Sequence, residues 1–293
     1  SGKLAILGRE EAGITQGGYM ELPLGVIVGL REEPEESVRK VHDLGLPTCQ
    51  ISCWRVELLN EEVAGRLGEA AERYGVKITT IWTGYPGPAV WNWVDGPSTI
   101  GLVPRRWRKE RLEALKRGSD FAHMLGVGSI TTHVGFIPEN PKDEDYLTLI
   151  PLLREIAEYC GGRGQYFCFE TGQETPVTLL RTMEDVGTGN LGVNLDPANL
   201  LMYGKANPVD ALDIIGKFVR GVHAKDGEYP TDGRSLGKEK PLGEGRVNFP
   251  VLIPKLKSLG YSGPITIERE VSGEQQVRDI LRAKEILEPL CKG

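Results

Sequence analysis

The feature that most constrains this chain is a strict alternation of strand signals and helix signals along its length. Eight short apolar runs read as strands. They are β1 (24–30), β2 (48–53), β3 (76–82), β4 (129–133), β5 (166–170), β6 (191–196), β7 (219–223) and β8 (264–268). Amphipathic segments lie between and after them, over 35–44, 60–74, 106–125, 143–159, 176–186, 208–217, 249–259 and 274–290. Pro34 suits the first turn of one helix, Asn60 is placed to cap the next, and Gly75 ends it. Alternation of this kind demands a parallel sheet with helical crossovers. Eight repeats in 293 residues match the closed (β/α)8 TIM barrel, which takes about 250 residues. The alternative, an open doubly wound sheet, would carry a glycine-rich turn after its first strand, and none is there. The spelling Gly187-x-Gly189-x-x-Gly192 precedes a strand instead of following one, so it is accidental.

The expected organisation is one α/β domain over 1–293, with 1–22 as an N-terminal extension. Two connections, 83–104 after β3 and 224–248 after β7, exceed the roughly 12–15 residues of a plain loop. They are expected to form a lid or a subunit contact. Tyr85, Trp91 and Trp93 in the first argue against disorder. The formal net charge of −6 weighs against a nucleic-acid surface. No apolar run is long enough for a membrane span, and no leader is visible. Ser1-Gly2 has the composition of a scar from a removed tag, which leaves a lost leader open. Five scattered cysteines, with Cys49 and Cys53 too far apart for a zinc knuckle, suit reduced thiols and a cytoplasmic location. A homo-oligomer is compatible with all of this.

In such a barrel the functional groups stand at the carboxyl ends of the strands. Glu170, Asp196, His223 and Glu268 close β5, β6, β7 and β8. Taken singly, each has a bland explanation as a solvated strand end or a helix cap. Four on consecutive strands make a ring of negative charge that a divalent cation would relieve. The expected ligand set is therefore Glu170, Asp196, His223 and Glu268. Mixed oxygen and nitrogen donors without a thiolate suit Mn, Mg, Co, Fe or Zn.

The segments Phe169-Glu170-Thr171, Asn194-Leu195-Asp196-Pro197-Ala198-Asn199, Val222-His223-Ala224-Lys225-Asp226, Pro241-Leu242-Gly243-Glu244-Gly245 and Thr266-Ile267-Glu268 resemble the sugar isomerase/epimerase group. This is the xylose-isomerase-like TIM-barrel superfamily that also holds endonuclease IV. The resemblance is strongest over 166–270. It implies that the four ligands bind one divalent metal, and that Glu170 and Glu268 act as an acid/base pair on either side of a sugar or polyol. A carbonyl next to a hydroxyl could chelate the ion, and proton transfer through an enediolate would then give epimerisation or aldose–ketose isomerisation. Expulsion of a β-hydroxyl would make the protein a dehydratase of inosose or dehydroshikimate type, and a non-catalytic sugar-binding barrel is the third reading. The endonuclease branch needs further histidines on β3 and one turn after the β6 aspartate. Trp82 and Asn199 stand there instead, so DNA repair is set aside.

Substrate contacts are expected from His133 at the end of β4, from Asn199, from Lys225, and from Trp54 and Trp82 as a wall for sugar C–H faces. The alternatives are a core histidine bonded to backbone for His133, an exposed loop lysine for Lys225 and plain core packing for the two tryptophans. His42 and His123, in helices, are expected to be structural or exposed. The basic run Arg105, Arg106, Arg108, Lys109 and Arg111 reads as a solvated face, with a phosphate site as the alternative.

Overall fold

The computed structural model describes residues 21–293. Of the expected extension, residues 1–20 lie outside the described residues, while Leu22 is buried and its N–H donates to the carbonyl of Cys291. Eight parallel strands close into a barrel. They are β1 (Leu24–Gly29), β2 (Thr48–Cys53), β3 (Lys77–Thr83), β4 (Ser129–Thr132), β5 (Tyr166–Glu170), β6 (Leu191–Leu195), β7 (Val219–Ala224) and β8 (Ile265–Ile267). Each strand pairs with its sequence neighbours, and β1 shuts the ring by pairing with both β2 and β8.

Eight long helices cover the outside, as the alternation requires. Pro34 begins the first, the Asn60 side chain caps the second through the N–H of Val63, and Gly75 ends it in the left-handed region. Their inward faces pack on the barrel through fully buried residues such as Val38, Val41, Leu67, Leu115, Leu149 and Ile156. Burial of a side chain of this size stabilises by roughly 1.5–3 kcal/mol. Two short helices, Gly96–Thr99 and Pro197–Met202, add to the eight that the sequence pattern implies. Neither is long enough to show a period.

Strand ends differ from expectation by one residue. Asp196 and Glu268 stand just past β6 and β8 because the ladder partners run out at Leu195 and Ile267. His133 likewise follows β4, whereas His223 lies inside β7, one residue before its end.

The second long connection folds back on itself. Asp226–Gly227 and Glu239–Lys240 form a two-stranded antiparallel ribbon. The buried Asp226 carboxylate accepts from the backbone N–H groups of Gly227, Gly243, Gly245 and Val247. That bond set joins two of the quoted motifs, His223–Asp226 and Pro241–Gly245, into one corner. Gly237 passes so close to the Pro197–Met202 helix that a Cβ there would lie 2.9 Å from Met202 Cα and 1.8 Å from the Glu228 carbonyl oxygen. Only glycine fits.

The basic run is an exposed face only in part: Arg105, Arg106 and Lys109 are exposed, whereas Arg108 is half-buried and Arg111 is not on the surface at all. Arg105 pairs with Glu144 and Asp145. Arg111 is fully buried, and its guanidinium donates to the carbonyls of Pro86, Pro88, Thr99 and Gly101. The arginine therefore ties down the first long connection. His42 and His123 are exposed. The five cysteines are buried free thiols, and burial pushes Cys49 and Cys168 up to about 12, which makes them inert. Among the described residues no helix is long and apolar enough to cross a membrane.

Candidate active site

At the carboxyl end of the barrel, Glu170, Asp196, His223 and Glu268 converge. Each offers one donor atom, and these atoms lie within 4.8 Å of one another. His223 Nδ1 is 3.4 Å from Glu170 Oε1, 3.1 Å from Glu268 Oε2 and 3.8 Å from Asp196 Oδ2. Asp196 also caps the Pro197–Met202 helix, since its Oδ1 accepts from the N–H of Asn199 at 2.9 Å. That bond commits one carboxylate oxygen and leaves Oδ2 for the cluster.

The donors of Asp196 (Oδ2), His223 (Nδ1) and Glu268 (Oε2) are buried and have no hydrogen-bond partner among the described residues. An unpaired buried polar atom costs about 1–3 kcal/mol. Three that face one another are accounted for by a ligand they share. Three carboxylates and one imidazole suit a hard or borderline divalent cation, so the residues fit the expected metal.

The electrostatics agree. Burial alone would push His223 down, but Glu170 and Glu268 opposite Nδ1 hold it well above the usual histidine range. The carboxylates that would hold a cation thus also hold a proton. Burial works to raise Glu170, and the facing His223 and His133 outweigh it and keep Glu170 well below the usual carboxylate range. Burial raises Asp196 to about 6 against the pull of Lys225. Glu268 falls to about 2, because Lys225 and His223 outweigh its burial.

The expected substrate contacts gather around the same point. His133 is buried with Nε2 3.3 Å from Glu170 Oε1, and its Nδ1 has no partner among the described residues, so it is not a core histidine bonded to backbone. Lys225 is buried, not a loop lysine in solvent. Its ammonium donates to Glu270 at 2.8 Å and to Asn199 at 3.2 Å, and stands 3.6 Å from both Asp196 and Glu268. Asn199 Nδ2 reaches Glu170 Oε1 at 3.5 Å. Trp82 is buried and its indole N–H donates to Glu170 Oε2. Trp54 packs on Trp82 with ring centres 5.2 Å apart and remains partly exposed at the rim.

Above the cluster lies a cavity of about 600 Å³. The first long connection gives it Trp91, and the second gives it Leu236, Gly237 and Glu239. Four residues close to the cluster were missed. Gln50 holds His223 from below, with its Oε1 2.8 Å from Nε2. Trp91 stacks near His133 at 5.2 Å. Gln173 and Glu270 line the wall. For Trp91 the signal was present in the aromatic content of its loop. Gln50 carried no such signal, because Thr48 and Ser52 make the rest of its strand polar as well.

Residues 38–289 match the family described as xylose isomerase-like TIM barrel. A xylose isomerase domain protein from Planctomyces limnophilus is 34% identical, with 92% of this chain and 97% of that chain covered and a TM-score of 0.87. An uncharacterized protein of Methanocaldococcus jannaschii is 27% identical over 282 residues, which is 92% of this chain and 88% of that protein. A D-tagatose 3-epimerase-like protein shares the fold, at 24% identity and a TM-score of 0.71 over 92% of this chain and 97% of that one. With the matched span covering most of its length, the chain belongs to the xylose isomerase-like TIM barrel family.

Proposed function

We propose that the chain is a divalent-metal-dependent epimerase or isomerase of sugars or related polyols. One observation carries the reading. Four strand-end side chains converge, three with unpartnered donor atoms, on the floor of a cavity walled by tryptophans. The D-tagatose 3-epimerase-like protein of the same fold supports the same class.

Glu170, Asp196, His223 and Glu268 would hold the cation. When bound, it would polarise a carbonyl and place positive charge beside oxygens that become anionic. The chain's own residues do the rest. The Glu268 carboxylate turns Oε2 to the cation position, and its other oxygen is the acceptor for a proton on the carbon beside the carbonyl. The Lys225 ammonium, 3.6 Å away, keeps that carboxylate in its basic form. Glu170 stands three strands further round the ring and holds or returns a proton at Oε1. The Trp82 N–H fixes the other oxygen of Glu170. A proton returned to the same carbon from the opposite side inverts it, and one returned to the neighbouring carbon interconverts ketose and aldose. Trp54 and Trp82 cover a sugar C–H face.

The test is solvent deuterium uptake by D-tagatose, D-fructose and an inosose in the presence of Mn²⁺ or Mg²⁺. Uptake beside the carbonyl is expected, and Glu268→Gln should slow it by roughly 10²–10⁴-fold while circular dichroism is unchanged. No uptake into any of these compounds would sink the reading, and loss of water from the product would move it to a dehydratase.

A further inference from the structure

Gln173 lies three residues past Glu170, in the turn that leads to the helix Pro176–Val186. It is 1% exposed yet forms part of the cavity wall. Neither its Oε1 nor its Nε2 has a hydrogen-bond partner among the described residues. The hydroxyl of Tyr203 stands beside the amide without completing a bond to it. Both ends of a buried amide left unused are a burden on the fold. Packing does not require them, since Met would fill the same volume.

The chemistry of the amide selects its partner. It presents an acceptor oxygen and an NH₂ donor side by side. Two adjacent hydroxyls answer both, because each hydroxyl can donate and accept. A phosphate or carboxylate can answer only the NH₂ and would set its charge against the amide oxygen. The surrounding wall has the same preference. Apart from His133, its charged side chains are Glu170, Glu239, Glu268 and Glu270. Lys225, the cation at the cluster, is already engaged by Glu270 and Asn199.

Resting on the proposed function, we infer that Gln173 is a substrate-positioning residue that reads a pair of adjacent hydroxyls on an uncharged sugar or polyol. Gln173→Met is the direct test, with D-fructose, D-tagatose and D-fructose 6-phosphate as probes. Binding is followed through the fluorescence of the wall tryptophans, and turnover through deuterium exchange. The variant should melt no lower than the wild type, because two unpaired polar atoms are gone. Its affinity for the neutral ketose that binds best should fall roughly 10–100-fold. KM should rise by the same factor with kcat within about threefold, as for lost uniform binding. Gln173→Asn should recover part of the loss. Unchanged affinity, a clear drop in melting temperature, or tighter wild-type binding of the phosphate ester than of D-fructose overturns the proposal. Binding without exchange refutes the enzymatic reading and leaves Gln173 standing. Exchange with an unchanged KM refutes only Gln173. A wild type that binds none of the three overturns both.

Discussion

His223 Nε2 lies 2.8 Å from the side-chain oxygen of Gln50, its partner from 173 positions earlier in the chain. An amide oxygen only accepts, so Nε2 carries a proton and Nδ1 is the nitrogen turned toward Glu170, Asp196 and Glu268. Gln50 is held in turn, since its Nε2 donates to Asn194 Oδ1 at 2.9 Å. Gly221 makes room for the pair, because a Cβ there would meet Asn194 Oδ1 at 2.3 Å. Gln50→Leu fills most of the volume and removes the orienting bond. Its affinity for Mn²⁺, read by water proton relaxation, should fall roughly 10–100-fold. Equal affinities would show that the imidazole needs no such support.

Glu174 gives a pH test outside the cluster of Glu170, Asp196, His223 and Glu268. Burial pushes its carboxyl up from 4.5 to about 7. Between those values the folded chain keeps a proton that the unfolded chain has released. Stability attached to this group is therefore greatest below about pH 4.5, falls as pH rises, and is fully lost above about pH 7. Glu174→Gln should gain up to about 3 kcal/mol over the wild type at pH 8 and nearly nothing at pH 4. Urea unfolding at the two pH values checks this, and a pH-independent difference would count against it.

Arg111 is expected to be structural despite its place in a basic run. Arg111→Met leaves the carbonyls of Pro86, Pro88, Thr99 and Gly101 without their donor and removes the guanidinium from the face of Tyr85. The cost should be about 3–5 kcal/mol. Protease should cut first within 83–104, and KM should rise as Trp91 loses its support. Arg111→Lys should recover little, because an ammonium cannot reach four carbonyls at once. First cleavage elsewhere would show that the segment is held by other contacts.

The barrel and the cluster were legible for one reason. Each of Glu170, Asp196, His223 and Glu268 is a ligand-type side chain that interrupts an apolar run near its carboxyl end. The period of the strand and the closure of the ring then leave those side chains nowhere else to meet. Gln50 and Gln173 were not legible. Gln50 sits in Thr48-Cys49-Gln50-Ile51-Ser52-Cys53, where small and polar residues blur the alternation, and its partner is remote in sequence. Gln173 lies in Thr171-Gly172-Gln173-Glu174-Thr175, which has the composition of a solvated turn. It is buried instead, with Tyr203 beside it, just past a helix of six residues. The buried role of Arg111 is invisible in the sequence because its partners are carbonyls, which leave no trace in side-chain chemistry.

The Asp226 corner fixes more than a loop. Both feet of the 227–247 excursion are fastened to a single carboxylate, one residue beyond Lys225. The exposed turn at its far end, residues 231–235, packs on nothing that would resist change, while Gly237 beside Leu236 stays pinned to the Pro197–Met202 helix. The roof of the chamber thus combines a fixed frame with a short replaceable tip, and exchanging a few residues at that tip would alter what the cavity admits while Glu170, Asp196, His223 and Glu268 below stay in register.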